Sequence, residues 1–316
     1  MIEIVDLVKR FGPFTAVDGV GFHVGRGEVL GFLGPNGAGK STTMKMAAGF
    51  LTPTRGRVAI AGHDVEREPL KAKRALGYLP EGAPSYGDMT PRSFLEFLGQ
   101  VRGLDRAAIR LGLGRVVEQV ELEGVLDQPI DTLSKGFKRR VGLAGAILHD
   151  PPCLILDEPT DGLDPNQKHE VRNLIARMAP DKAIVVSTHI LEEVEAVCTR
   201  AVIIDRGRVV ADGTPAQLVA RSPLHNAIRI SLAAVILDMP SRLADVPGVA
   251  RVVTPDGWRT GQDYLVLPNG SVSIIEGVAA RLRQIGVAVE NLSTEHGRLD
   301  DVFRQLTTSD AQKVRS

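Results

Sequence analysis

Three short stretches of the 316-residue sequence carry side chains whose types and spacing suit phosphate chemistry. The first is GPNGAGKST, made of Gly34, Pro35, Asn36, Gly37, Ala38, Gly39, Lys40, Ser41 and Thr42, between the apolar run VLGFL and the helical run TMKMAAGF. Its glycines let main-chain amides curl round phosphate oxygens, Lys40 reaches toward β and γ phosphates, and the Ser41 hydroxyl suits magnesium. Amides at the start of the following helix add favourable potential for an anion. The second stretch, CLILDEP, ends an apolar run on Asp157 and Glu158. Asp157 suits a magnesium ion held through water, and Glu158, on the opposite side of the pleat, suits orienting or deprotonating an attacking water. The third, AIVVSTH, ends on His189, placed to contact a γ phosphate or fix the same water. A strand-end acidic pair is often merely solvated, and a lone histidine is more often structural. A phosphate loop in the same chain is what makes these residues chemical candidates.

Such residues meet only if the elements carrying them end at one place. The runs at 28–33, 153–156 and 183–186 are short, apolar and followed by turn residues and helical patterns, which predicts buried parallel strands joined by helical crossovers. In an open α/β sheet the ends of such strands gather at the ligand crevice. Residues 2–8, 22–24 and 57–60 read as an antiparallel β layer. From Tyr86 to Pro129 the pattern turns helical, with Thr90 as a cap, Pro91 at the first helical position, and Phe94, Leu95, Leu98 and Val101 on one face. A helical subdomain is expected over about 86–150. Arg221, Ser222 and Pro223 mark a boundary between a domain at 1–222 and a second at 223–316 with a short tail. In the second domain, strands are expected at 227–232, 250–254, 264–267 and 287–292, with helices at 241–245, 274–284 and 299–306. That order, βαββαβ, is the order of a ferredoxin-like α+β module. Ile228, Ile230 and Leu232 with Ile274, Val278 and Leu282 supply its core, and Trp258 lies in a hairpin loop, PDGWRTGQ, either as a partner anchor or as cover for its own sheet.

Composition narrows the function classes. Lys plus Arg and Asp plus Glu number 38 each, so the formal charge is zero and no general attraction to nucleic acid or anionic lipid follows. Aromatics at 4% are too few for the ring platforms of single-strand binders. The longest apolar runs, VGLAGAIL and ISLAAVIL, fall far short of a membrane span. Glu3 and Asp6 interrupt what would be the apolar part of a signal peptide, so a cytoplasmic location is expected. Cys153 and Cys198 read as small buried hydrophobes. His63, His149, His169 and His296 have no metal-ligand spacing and are assigned no chemistry.

LSKGFKRR, residues 133–140, stands directly before the helical run 141–148 and CLILDEP. In that order the motifs resemble the ATP-binding cassette (ABC) family, over Met1 to about Ser222. Ser134 and Gly136 match its LSGGQ signature, whereas Lys135 and Phe137 depart from it. The resemblance implies that Ser134 and the Gly136 amide approach the γ phosphate of ATP held by the other protomer's phosphate loop, giving two shared sites in a head-to-tail homodimer. It further implies that Phe11 stacks on adenine, with Phe14 a less apt substitute, that Asp164 in TDGLDP touches the opposite subunit, and that His189 is the switch histidine. Glu81 in GYLPE occupies the Gln-loop position, where a carboxylate still serves magnesium through water. Glu81, Lys135 and the ending GRLDDVFRQLT together are similar to the ATPase subunits of ABC-2-type exporters, including those described as gliding-motility ATPases.

The fold expected is therefore a P-loop ABC-type nucleotide-binding domain with an antiparallel β layer and a helical subdomain, followed by a small α+β domain. The function implied is ATP hydrolysis with magnesium, coupled to separately encoded integral-membrane permease subunits at the cytoplasmic face, with the helical subdomain as docking surface and no nucleic acid partner. Two rivals are a soluble ABC-type switch, whose relatives usually carry two cassettes or a coiled-coil insertion, and an ATP sensor without turnover, which Glu158 and His189 argue against.

Overall fold

The computed structural model describes residues 1–308 other than 84 and 271; the tail expected at the C-terminus lies outside the described residues from 309 on. The chain divides into two compact units, Met1–Asp212 and Gly213–Ser316.

The first unit opens with a long antiparallel hairpin, β1 (Ile2–Phe11) and β2 (Phe14–Val24). It runs further than the stretches 2–8 and 22–24 suggested. Register shifts along the pair and a left-handed Gly19 (φ 74°) break the strict alternation by which a strand is recognised in sequence. β3 (Val29–Leu33) is buried at every residue and leads through the loop 34–39 into α1 (Lys40–Ala47). β4 (Arg55–Ile60) returns beside β1, β5 (His63–Asp64) pairs with β4, and α2 (Pro69–Arg74) leads to β6 (Leu76–Leu79). Three capped helices follow: α3 (Pro91–Val101) behind a Thr90–Ser93 capping box, α4 (Arg106–Gln119) behind Asp105, and α5 (Lys135–Ile147) behind Ser134. On α3, Phe94 and Leu95 are buried as expected, but Val101 is 68% exposed because the helix ends there and the chain turns away. β7 (Cys153–Asp157), α6 (Pro165–Met178), β8 (Ala183–Thr188), α7 (Leu191–Val197), β9 (Arg200–Asp205) and β10 (Arg208–Gly213) complete it.

Two sheets result. One is ordered β10-β9-β3-β8-β7-β6, with β9, β3, β8, β7 and β6 mutually parallel, and the other is β2-β1-β4-β5, antiparallel. A single apolar core joins them around α1, with Ile2, Leu7 and Ile60 from one sheet, Phe32 and Ile155 from the other, and Met44 from the helix. Phe22 and Phe32 meet at 5.2 Å between ring centres. Cys153 and Cys198 are both buried free thiols, as expected of small hydrophobes. The carboxyl ends of β3, β7 and β8 therefore open at one edge, which fixes where their loops can act.

In the second unit, α8 (Pro215–Val219) is followed by β11 (Ile228–Leu232), α9 (Met239–Leu243), β12 (Val249–Val253), β13 (Asp263–Pro268), α10 (Ile275–Gln284), β14 (Val289–Thr294) and α11 (Leu299–Thr308). The sheet order β12-β13-β11-β14, antiparallel throughout, is that of a ferredoxin-like module. Ile228, Ile230 and Leu232 pack on Val278 and Leu282 in its core. Packing divides the chain before α8 rather than at Arg221, Ser222 and Pro223, since α8 packs on α11 and the Ser222 hydroxyl bonds Asp301 at 3.2 Å. The Arg229 guanidinium lies 4.2 Å from the centre of the Trp258 ring, so Trp258 covers its own sheet.

Candidate active site

The loop between β3 and α1 has the shape a phosphate requires. Gly37 and Gly39 are left-handed (φ 80° and 103°), and a Cβ on Gly39 would lie 2.5 Å from the Ala16 carbonyl oxygen. Gly34 is as confined, with a Cβ falling 2.4 Å from the Ile204 carbonyl oxygen. The loop closes on itself and on the β9–β10 turn through Ala38 N–H to Pro35 O (3.1 Å) and Gly207 N–H to Ala38 O (2.9 Å). Pro35, Asn36, Ser41 and Thr42 stand in it or on the first turn of α1. Lys40 turns its ammonium back into the loop, donating to Gly34 O at 2.8 Å and Pro35 O at 3.2 Å. Burial lowers its pKa, and the negative charges of Glu158, Asp157 and Glu81 oppose that shift.

Those three carboxylates come from the ends of two strands, β6 and β7. Asp157, the last residue of β7, is completely buried, and neither of its oxygens has a hydrogen-bond partner in the chain. Burial raises its pKa; Ser187, its register neighbour on β8, and Ser41 lie close enough to counter part of this. The Ser187 hydroxyl is likewise unpartnered. Ser41 Oγ stands 3.5 Å from Glu81 Oε2, just beyond β6. Orphaned, fully buried carboxylate oxygens are rare in folded chains and mark a place for an ion or ordered water. A hydroxyl and hard carboxylate oxygens beside a phosphate loop form the donor set a magnesium ion accepts when phosphate supplies further ligands. No group of three or more His, Cys, Asp or Glu converges as a metal cage among the described residues.

Glu158 lies past the end of β7, with φ at 51°. Its direction is thus set by a left-handed backbone, not by the pleat. Its N–H donates to Ser187 O at 2.9 Å, and its Oε1 meets His189 Nδ1 at 3.1 Å, just beyond β8. The carboxylate is nearly buried while the imidazole is half exposed. This arrangement can hold a water between a proton acceptor and a second polar group at the mouth of the phosphate loop.

Ser134, Gly136 and Asp164 gather elsewhere. Ser134 caps α5, accepting from Phe137 N–H at 3.3 Å, and Asp164 caps α6, accepting from Gln167 N–H at 3.0 Å. A Cβ on Gly136 would lie 2.5 Å from the Gln167 side chain, so the two helix starts are packed together. Among the described residues no hydrogen bond or ion pair joins these three to the chain's own phosphate loop. Phe11 ends β1 at the hairpin turn, 48% exposed beneath the Lys9 ammonium at 5.2 Å, and its register partner Phe14 is 62% exposed.

A family model described as ABC transporter matches residues 17–161, a span running from β2 through the phosphate loop to Glu158. The Nod factor export ATP-binding protein I of Paraburkholderia xenovorans is 40% identical over 223 residues, covering 69% of this chain and 72% of that protein. The chain belongs to the ABC transporter family, among its ATP-binding proteins. The probable multidrug ABC transporter ATP-binding protein YbhF of Escherichia coli is also 40% identical over 223 residues, covering 70% of this chain. There the chain spans only 38% of the relative's length. A solved ATP-binding subunit of an ABC transporter superposes with a TM-score of 0.64 at 34% identity, covering 69% of this chain and 91% of that one.

Within this ABC fold two buried polar groups have no counterpart in the motif reading. Glu193 of α7 accepts from Thr160 and Thr188, the residues adjoining the turns that carry Glu158 and His189. Arg139 of α5 donates to main-chain carbonyls of Pro80, Asp157, Glu158 and Pro159. In sequence Glu193 is one of three acids in LEEVEAV and Arg139 the middle of a basic run, and nothing in either stretch marks which side chain turns inward.

Proposed function

We propose that this chain is the ATP-hydrolysing subunit of an ABC-2-type exporter, closing as a homodimer on two ATP molecules and driving separately encoded permease subunits. The observation that carries the reading is the junction of Lys40, the unpartnered Asp157 and the Glu158–His189 pair at the edge where β3, β7 and β8 end. Main-chain N–H groups of the loop and of the first turn of α1 bind the phosphates, and Lys40 exchanges its loop carbonyls for β and γ oxygens. Ser41, Asp157 and Glu81 are the residues that would hold a magnesium ion, the hydroxyl directly and the carboxylates through water, and such an ion would supply positive charge against the transferred phosphoryl group. Glu158 takes the proton of the attacking water, and His189 fixes the pair against the γ phosphate. Phe11 at its hairpin tip stacks on the adenine.

Support for a shared site comes from Ser134, Gly136 and Asp164, which are grouped apart from their own loop and so available to a second protomer's nucleotide. The export direction rests on relatives named for Nod factor export and multidrug transport. No helix among the described residues is long and apolar enough to cross a membrane; the proposed place at the cytoplasmic face follows from the role beside permease subunits. The test is phosphate release by the full chain with magnesium-ATP against Glu158→Gln. The parent is expected to turn over and the variant to lose at least about 100-fold; equal rates remove Glu158 from the reaction.

A further inference from the structure

We propose that Arg139 is a positioning residue for hydrolysis, clamping the main chain around Glu158 and the segment before Glu81 to the helix that Ser134 caps. In the run Lys138, Arg139, Arg140, the neighbours are half-buried and turn to other partners: Lys138 donates to Asp131 O at 3.0 Å, and Arg140 pairs with the carboxylates of Glu121 and Glu170. Arg139 is only 5% exposed. Its Nε donates to Pro159 O at 3.2 Å, Nη1 to Pro80 O at 3.1 Å, and Nη2 to the carbonyls of both Asp157 and Glu158. Among the described residues no carboxylate bonds it. Asp161, Asp157, Glu158 and Glu81 act on it only through space, and burial still pulls its pKa down.

A buried cation spent wholly on carbonyls is a poor stabilising device, because an apolar side chain fills such a space without desolvating a charge. What the planar fork does supply is four fixed directions at once, which an ammonium does not. Those directions converge on the strained backbone of the site. Glu158 sits in a left-handed conformation that a non-glycine residue keeps only when its surroundings over-determine it. Two bonds do so: its N–H to Ser187 O and its carbonyl from Arg139. Freed of the second, the Glu158–Pro159 peptide is able to relax, and the carboxylate leaves its 3.1 Å contact with His189. The bond to Pro80 O ties Glu81 to the same anchor. Because Arg139 and Ser134 stand on one helix, engagement of Ser134 by a partner's nucleotide also bears on Glu158; that consequence rests on the shared-site reading above.

The experiment compares the full chain with Arg139→Gln, Arg139→Lys and a control, Arg115→Gln. Arg115 bonds Ile147 O and Leu148 O at the far end of α5 and pairs with Asp150, so the control loosens the helix without touching Glu158. Steady-state hydrolysis is expected to give Arg139→Gln a kcat at least about 10-fold lower with KM for ATP within about 3-fold, Arg139→Lys an intermediate kcat, and Arg115→Gln the parent kcat with a lower melting temperature. The proposal is overturned if Arg139→Gln keeps the parent kcat, if KM rises while kcat holds, or if Arg115→Gln loses kcat equally. Should Arg139→Gln fail to fold, Arg139→Lys decides in the same way. A parent that hydrolyses no ATP overturns this and the functional reading together, whereas an active parent with an equally active Arg139→Gln overturns this alone.

Discussion

At the scale of single residues, the site is held by main chain as much as by side chains. Gly39 shows this: its left-handed φ of 103° and the Ala16 carbonyl 2.5 Å from any Cβ leave room for glycine alone. Gly39→Ala is therefore expected to destabilise the fold by about 1–3 kcal/mol in urea unfolding, besides weakening ATP binding. Lys40→Ala removes the ammonium that the loop carbonyls of Gly34 and Pro35 hold and that the proposed function assigns to the phosphates, and hydrolysis is expected to fall at least about 100-fold with weaker nucleotide binding and an unchanged circular dichroism spectrum. That the glycine loop, Lys40, Asp157, Glu158 and His189 gather at one place was legible, because each stands at or just past the end of an apolar strand pattern in types that suit phosphate. Arg139 and Glu193 were not, since their partners are carbonyls and hydroxyls brought near by folding, and every chain offers such groups at every position. The turn of Glu158 escaped for a related reason: a left-handed non-glycine residue leaves no mark in composition.

At the scale of elements, apolar runs bounded by turn residues located the buried parallel strands and the order of the C-terminal module. The long hairpin β1–β2 was less legible because bulges shift which residues face inward. Tertiary contacts between helices and strands also set properties that no pattern displays. His149, after α5, accepts from Arg102 at the end of α3 at 2.9 Å, beside Leu76 O on β6. Burial first, and then the Arg102 charge, lower its pKa to about 4. The unfolded chain, near 6.5, takes up the proton earlier, so this contribution to stability is whole above about pH 6.5 and declines as pH falls toward 4. Its slope reaches at most about 1.4 kcal/mol per pH unit. His149→Gln still accepts from Arg102 and does not titrate. Urea unfolding at pH 7.5 and pH 5 is expected to show a smaller loss for this variant than for the parent; an equal loss assigns the pH dependence to other groups.

At the scale of the whole molecule, the candidate site residues all lie in Met1–Asp212 and none lies in the ferredoxin-like unit. A chain ending at Asp212 is expected to bind ATP with an affinity of the same order as the full chain. One ending at Ser222 retains α8 without α11 and uncovers Leu218, which is fully buried in the intact protein, so it is expected to aggregate more readily in light scattering. The grouping of Ser134, Gly136 and Asp164 apart from their own phosphate loop makes the homodimer the central claim of the proposed function, in which those three residues complete the site of a second protomer. The most direct test is the molar mass of Glu158→Gln by size-exclusion chromatography with light scattering, with and without magnesium-ATP. The amide keeps the shape of Glu158 but takes no proton, so nucleotide stays bound. The account predicts a monomer without ATP and a dimer with it, abolished by adding Ser134→Arg. A folded Glu158→Gln that binds ATP and remains monomeric, or a dimer indifferent to Ser134→Arg, would contradict it.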